Sequence, residues 1–227
     1  MLFRSKRFHV KHRFDLDTLF SFLRSQSVSL SDQQKHLFAA YQQLIRNRSG
    51  KQNLVSKNDV LHLVERHFLP SAFLSVCLPD RITGKILDVG AGAGFPGVIL
   101  KILRPELSLT LLDSSYKKVL FLEEVCDQLE LDCPVINQRC EEFKPLLSDC
   151  YQIVVSRAVA RLRLLWDWSG HLIVPGGHLY SFKGGDYQKE IEELSGSNLK
   201  IEVTAPDGDW LETSDYLNQK CIVKLEK

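Results

Sequence analysis

The chain has 227 residues, 44% of them hydrophobic, and a formal net charge of +1. That length and apolar content allow one good-sized core with a small appendage, while the balanced charge gives no global sign of a nucleic-acid partner. No apolar run approaches the ~18 residues of a membrane span and no secretory signal pattern is present, so a soluble, cytoplasmic protein is expected.

The chain begins with a basic leader in which Arg4, Lys6, Arg7, His9, Lys11, His12 and Arg13 all precede the first acid, Asp15. Such a leader reads as a phosphate grip, a solvated end or an organelle transit segment, and composition does not separate the three. From about 15 to 80 the pattern is helical. Asp15 is placed to cap a segment with Leu16, Leu19, Phe20 and Leu23 on one side, and Ser31-x-x-Gln34 is a capping-box pattern. Behind it Leu37, Phe38, Tyr41, Leu44 and Ile45 recur at helical spacing, and Gly50 is expected to stop the run. A third helix is expected from near Asp59, carrying Leu61, Val64, Phe68, Ala72, Leu74 and Val76 as far as Pro79, bent or interrupted at Pro70. Residues 1–80 are therefore read as a leader and helical region, and 81–227 as a second domain.

From Lys85 the pattern changes to strand–helix alternation. Strands are expected at 85–89, 107–112, 134–138, 152–156 and 177–182, with helices near 97–103, 116–130, 161–171 and 187–194. Short turns between alternating elements argue for an α/β fold with a parallel sheet covered on both faces. The tail differs: Leu199–Ala205 and Gln219–Leu225 are strand-like, and the loop holding Pro206, Gly208 and Trp210 leaves no room for a helix. That pattern makes an antiparallel pair at the sheet edge.

The most informative stretch is Lys85-Ile86-Leu87-Asp88-Val89-Gly90-Ala91-Gly92-Ala93-Gly94-Phe95-Pro96-Gly97. It reads as a buried strand, a glycine turn that brings backbone close to a ligand, and a helix start. The dinucleotide fingerprint needs a third glycine three positions after the second, where this chain has Phe95. A carboxylate at Asp88 would also crowd a diphosphate at the helix N-terminus. A phosphate-free, positively charged cofactor suits the turn better, and S-adenosylmethionine (SAM) is one. Asp113 ends the second strand about 20 residues past the turn, the distance expected of a ribose-binding carboxylate. The competing reading makes Asp113 an N-cap of the next helix, with Ser114 and Ser115 as rivals.

The acidic-x-Gly-x-Gly-x-Gly pattern resembles the first motif of class I SAM-dependent methyltransferases, whose Rossmann-like fold carries a mainly parallel seven-stranded sheet with an antiparallel terminal hairpin. Further stretches occur in order: Asn53-Leu54-Val55, Arg66-His67-Phe68-Leu69-Pro70-Ser71, Leu111-Leu112-Asp113-Ser114, Lys117-Lys118-Val119, Ser156-Arg157-Ala158-Val159-Ala160, Pro175-Gly176-Gly177 and Phe182-Lys183-Gly184. Over roughly residues 50 to 195 they resemble the RsmG (GidB) family, bacterial enzymes that methylate N7 of a guanine in small-subunit (16S) ribosomal RNA. Val55 and Pro70 depart from the family pattern, which usually has Thr and Asp there. The resemblance implies SAM contacts at Gly90, Phe95, the Cys140–Glu141 pair and Arg157, beside Asp88, Gly92, Gly94 and Asp113 from the motif reading. Ribosomal RNA or a small-subunit ribonucleoprotein is the implied partner. Guanine N7 offers a lone pair with no proton to remove, so no general base is required. Lys183 is the candidate for guanine O6 or a nearby phosphate, and Arg66, His67, Arg161 and Arg163 are candidate RNA contacts.

Two other classes fit the fold pattern: an NAD(P)-dependent oxidoreductase, and a non-catalytic SAM-fold RNA-binding or assembly factor. A methyltransferase for a small molecule or protein also fits the motif physics. The six cysteines, Cys77, Cys126, Cys133, Cys140, Cys150 and Cys221, form no Cys-x-x-Cys pair and read as reduced thiols. The histidines lack metal-ligand spacing, so no metal is expected.

Overall fold

Asp15 starts the first helix by a reciprocal cap. Its carboxylate accepts the Thr18 N–H at 3.0 Å, and its own N–H reaches the Thr18 hydroxyl. This begins α1 (Leu16–Ser25). Ser31 and Gln34 form the expected capping box at the head of α2 (Asp32–Gln52), each side chain accepting the other's backbone N–H. The computed structural model describes residues 14–52, 54–146, 149–207, 214 and 216–227. The basic leader, Asn53 and the loop positions Gly208 and Trp210 lie outside the described residues.

The helix α2 runs through Gly50 instead of stopping there. A helical glycine costs only about 1 kcal/mol relative to alanine, and the fully buried Phe38, Tyr41 and Ile45 anchor the preceding turns. Ser56 caps α3 (Lys57–Leu61), a π-helical turn follows at Val64–Phe68, and α4 (Leu69–Cys77) takes over directly. The interruption thus falls before Pro70. The proline occupies the first turn of α4, where a missing N–H leaves no helical bond unmade.

The strands β1 (Ile86–Val89), β2 (Leu109–Asp113), β3 (Val135–Asn137), β4 (Tyr151–Arg157), β5 (Ile173–Gly184), β6 (Lys200–Thr204) and β7 (Lys220–Glu226) form one sheet in the order β3-β2-β1-β4-β5-β7-β6. The first five run parallel, and β7 lies antiparallel between β5 and β6. The helices α5 (Gly97–Leu103), α6 (Tyr116–Gln128), α7 (Leu162–Ser169) and α8 (Tyr187–Glu192) fill the crossovers. The fifth strand, expected at 177–182, begins earlier, so that Pro175-Gly176-Gly177 lies inside β5. There the register jumps from Tyr151↔Ile173 to Ile153↔His178, and Gly176 takes φ +74.

Alternation along the strands builds two cores. Ile86, Leu109, Leu111, Ile153, Val155, Tyr180 and Phe182 face a cluster shared with α1, α2 and α4, so the N-terminal helices and one face of the sheet bury one continuous apolar mass. Leu87, Val89, Leu112, Val154, Leu179 and Val223 face the other way, toward α7 and α8. Strand order reverses between β1 and β4, which opens a crevice at the carboxyl ends of those two strands.

Candidate cofactor and substrate site

The glycine turn sits at that crevice, and the protein itself explains its composition. Gly90, Gly92 and Gly94 have φ +68, +62 and +98, a region costly for any residue with a Cβ. A Cβ on Gly90 would also lie 2.4 Å from Val159 Cγ2, and one on Gly94 would lie 2.6 Å from the Tyr41 hydroxyl. A Cβ on Gly92 would meet only the Gly90 carbonyl, at 3.7 Å, so that turn residue alone faces open space.

Two carboxylates brace the turn. Asp88 is 0% exposed; its Oδ2 accepts the Gly97 N–H at 2.7 Å and its Oδ1 is buried without a partner. Burial pushes its carboxyl up to about 7, with the neighbouring Asp113 adding to the rise and the Gly97 bond and Arg157 opposing it. Asp88 was expected among the cofactor contacts; the structure puts it beneath the turn, tying β1 to the start of α5. Asp113 accepts the Gly92 N–H through Oδ2 and the Ser115 N–H through Oδ1, both at 2.8 Å. The N-cap position of α6 is Ser115, with no side-chain cap bond, so Asp113 is not the cap: one of its oxygens holds the Ser115 N–H just before the helix while the other secures the turn.

Behind the turn stands an aromatic wall from the N-terminal helices. The Tyr41 hydroxyl donates to the Ala93 carbonyl at 2.6 Å, and the Phe95 ring lies 4.8 Å from His67, 5.6 Å from Tyr41 and 5.8 Å from Phe68 between centroids. Phe95 is buried in that wall, which leaves its backbone as the part nearest the turn. The Cys140 side chain points into the second core with its thiol on the Trp168 carbonyl, and burial pushes it up to about 12. Glu141, next along the same 3-10 turn, is exposed and lies 3.6 Å from Arg139.

Arg157 ends β4 and ties the two halves of the molecule together. Its guanidinium donates to the Arg66 carbonyl at 2.6 Å, the His67 carbonyl at 3.3 Å and His67 Nδ1 at 2.9 Å. No carboxylate pairs with it among the described residues. Because arginine only donates, His67 Nδ1 is the acceptor and the proton sits on Nε2, which is buried without a partner. Burial, assisted by the Arg157 charge, depresses the His67 imidazole to about 3, so it is neutral at physiological pH. His67 is therefore a wall residue, not the exposed RNA contact expected.

Lys183 is likewise committed inside the protein. Its Nζ donates to Glu190 Oε2 at 2.8 Å and to the Ala160 carbonyl at 2.5 Å, and the same Glu190 oxygen accepts the Leu162 N–H at 2.7 Å. The expected grip on guanine O6 is thus replaced by a clamp on the loop after β4. That loop carries Ala158 at φ +55 and places Val159 against Gly90. Arg161 pairs with Glu193 and Arg163 with Asp167, each arginine 56% exposed, as solvated helix-surface ion pairs. Arg66 pairs with Asp59 at 2.7 Å and lies over the Tyr216 ring.

Sequence reasoning missed Tyr41, Val159, Glu190, Tyr216 and Lys220. Tyr41 was legible only as an apolar-pattern residue and Val159 only as a member of the Ser156–Ala160 stretch, and Glu190 lay in a run of acids with nothing to single it out. Tyr216 and Lys220 belong to no motif. Among the described residues no cluster of His, Cys, Asp or Glu is arranged to hold a metal, and no helix is long and apolar enough to cross a membrane.

Comparison with known proteins points the same way as the geometry. The family profile described as GidB, rRNA small subunit methyltransferase G, matches residues 34–205. A Staphylococcus carnosus protein named ribosomal RNA small subunit methyltransferase G is 36% identical over 175 residues, 75% of this chain and 73% of that one. A Mycoplasma capricolum protein of the same name is 34% identical over 181 residues, covering 79% and 78%. Among solved structures, a plantazolicin methyltransferase in complex with a triazolic substrate analog and SAH superimposes with a TM-score of 0.55 at 12% identity, over 87% of this chain and 99% of that one. At that identity the likeness speaks for the fold alone.

Proposed function

We propose that this chain, which belongs to the rRNA small subunit methyltransferase G family, transfers the methyl group of SAM to N7 of a guanine in 16S ribosomal RNA. The observation that carries the reading is the glycine turn at the β1–β4 crevice, its open residue Gly92 fastened to Asp113. The residues fit this cofactor. A carboxylate that accepts two N–H groups keeps lone pairs for two ribose hydroxyls. Arg157 adds a positive charge with no carboxylate in direct contact, suited to a methionine carboxylate, and Glu141 stands exposed on the turn after β3 for an adenine amino group. With Phe95 in place of the third glycine, and Lys118 drawn to Asp113 at 3.8 Å, the NAD(P) alternative is not favoured.

SAM, when bound, supplies an electrophilic methyl on a sulfonium. The chain's part is to place and orient. Asp88 and Tyr41 hold the turn rigid from below and behind, and the Lys183–Glu190 clamp sets Val159 over Gly90. Guanine N7 carries its own lone pair, so no residue removes a proton, and the one lone pair of His67 is taken up by Arg157. Rate then comes from holding N7 roughly 3–3.5 Å from the methyl carbon with the orbitals aligned. The same reading makes the cytoplasm the site of action and ribosomal RNA, free or in an assembling small subunit, the partner.

The test uses purified protein, tritiated SAM and 16S ribosomal RNA or small subunits from a strain lacking the modification, with the product cleaved at N7-methylguanine. Label in RNA and a single new cleavage site are expected. Tight NADH binding without SAM affinity, or no label in any form of the RNA, would end the proposal.

A further inference from the structure

Three cations meet near the carboxyl ends of β4 and β5, and the described residues set no matching group of acids against them. Arg157 ends β4, Lys220 opens β7 opposite Gly184, and Arg66 reaches in from the π-helical turn. Tyr216 stands among them. Lys220 Nζ lies 4.6 Å and Arg66 Cζ 5.7 Å from its ring centroid. Among the described residues only Asp59 pairs with any of the three cations, through Arg66. Glu65, beside Arg66, is occupied by Ser214 and His62. The chain also keeps space for Lys220: a Cβ on Gly184 would come within 2.5 Å of its Nζ. Burial and the Arg157 charge hold the Lys220 ammonium below its ordinary value, as expected of like charges crowded together.

A concentration of positive charge that the described residues do not neutralise is a place for an anion. Sheet order says which one. The ribose and adenine contacts, Asp113 and Glu141, belong to the β2–β3 side of β1, whereas Arg66, Tyr216 and Lys220 gather on the β4–β5–β7 side. With the nucleoside on the first side and the methionine carboxylate on Arg157, Lys220 and Arg66 remain for the substrate. We infer that Lys220, supported by Tyr216 and Arg66, is a backbone-phosphate contact for the RNA strand that carries the target guanine. This rests on the RNA methyltransferase reading above.

The test compares wild type with Lys220→Gln, Lys220→Arg and Gly184→Ala, using transcribed 16S ribosomal RNA over a salt series and S-adenosylhomocysteine by calorimetry. Each phosphate contact contributes about 0.7–0.9 to the slope of log affinity against log salt. Lys220→Gln should lower the slope by that amount, so that between 50 and 200 mM salt it loses about threefold less affinity than wild type. Lys220→Arg should keep the slope. Gly184→Ala displaces only the end of a flexible side chain, so it should fold normally and behave like Lys220→Gln. S-adenosylhomocysteine affinity should be unchanged in all three. An unaltered slope in Lys220→Gln, or a loss of S-adenosylhomocysteine affinity instead, overturns the assignment while wild-type methyl transfer keeps the function reading intact. A wild type that neither binds nor methylates the RNA overturns both.

Discussion

Removing the Glu190 carboxylate should loosen the loop that covers the glycine turn. Lys183 and Glu190 are 9% and 14% exposed, so their 2.8 Å pair is a buried one and the loss of one partner is felt in full. In Glu190→Ala the ammonium keeps only the Ala160 carbonyl, and the Leu162 N–H at the head of α7 loses its acceptor. A buried charge stripped of its counter-ion costs about 3–5 kcal/mol. Lys183→Met should cost less, because Glu190 retains the Leu162 N–H, and about 1–3 kcal/mol is expected. The double variant Lys183→Met/Glu190→Ala leaves neither charge unpaired and should cost less than the two singles together, giving a coupling energy above about 1 kcal/mol. Urea unfolding at constant m-value measures all three. Single-turnover methyl transfer should slow in both single variants while S-adenosylhomocysteine affinity changes little. If Glu190→Ala unfolds within about 0.5 kcal/mol of wild type, the clamp is not a clamp and the reasoning fails.

Asp113→Ala should weaken S-adenosylhomocysteine binding by about 1–3 kcal/mol, roughly 5- to 150-fold, as the ribose acceptor is lost and Gly92 comes loose; equal affinity by calorimetry would remove Asp113 from the site. Tyr41→Phe leaves the Ala93 carbonyl buried and unpaired, and thermal or urea unfolding should show a loss of about 1–3 kcal/mol. Asp88 and His67 should oppose each other in acid. His67, depressed to about 3, makes the fold less stable as pH falls below 6.5, because the unfolded chain takes up a proton that the folded one refuses. Asp88, raised to about 7, does the reverse and makes the fold less stable as pH climbs from 3.8 toward 7. Asp88→Asn should therefore expose a stability that rises between pH 4 and 6.5 by up to about 1.4 kcal/mol per unit; a profile parallel to wild type counts against the Asp88 placement, and a flat one against that of His67.

The elements themselves were legible because they are short-range. Capping pairs such as Asp15–Thr18 and Ser31–Gln34, and the glycines with positive φ, are written within a few residues, and strand alternation follows from which face is buried. Misplaced boundaries came from tertiary override: Gly50 stays helical because the turns before it are anchored in the core, and Pro175-Gly176-Gly177 stays in a strand because the register with β4 absorbs it as a bulge. At the site, the motif positions Gly90, Gly92, Gly94 and Asp113 were readable from spacing alone. The charged candidates were not, since a lysine or arginine in sequence looks the same whether it meets RNA or a buried carboxylate.

By itself the order of residues determined the α/β alternation, the glycine turn and the acid that ends β2, because each depends on backbone conformation and on spacing of a few to about 20 residues. Only the assembled fold decided which side chains are spoken for. Arg157 meets the carbonyls of Arg66 and His67, Lys183 meets Glu190, and Lys220 is left beside Tyr216, through contacts made when distant segments come together. Partnership of a charge is a property of three-dimensional proximity and burial, and one-dimensional pattern does not contain it.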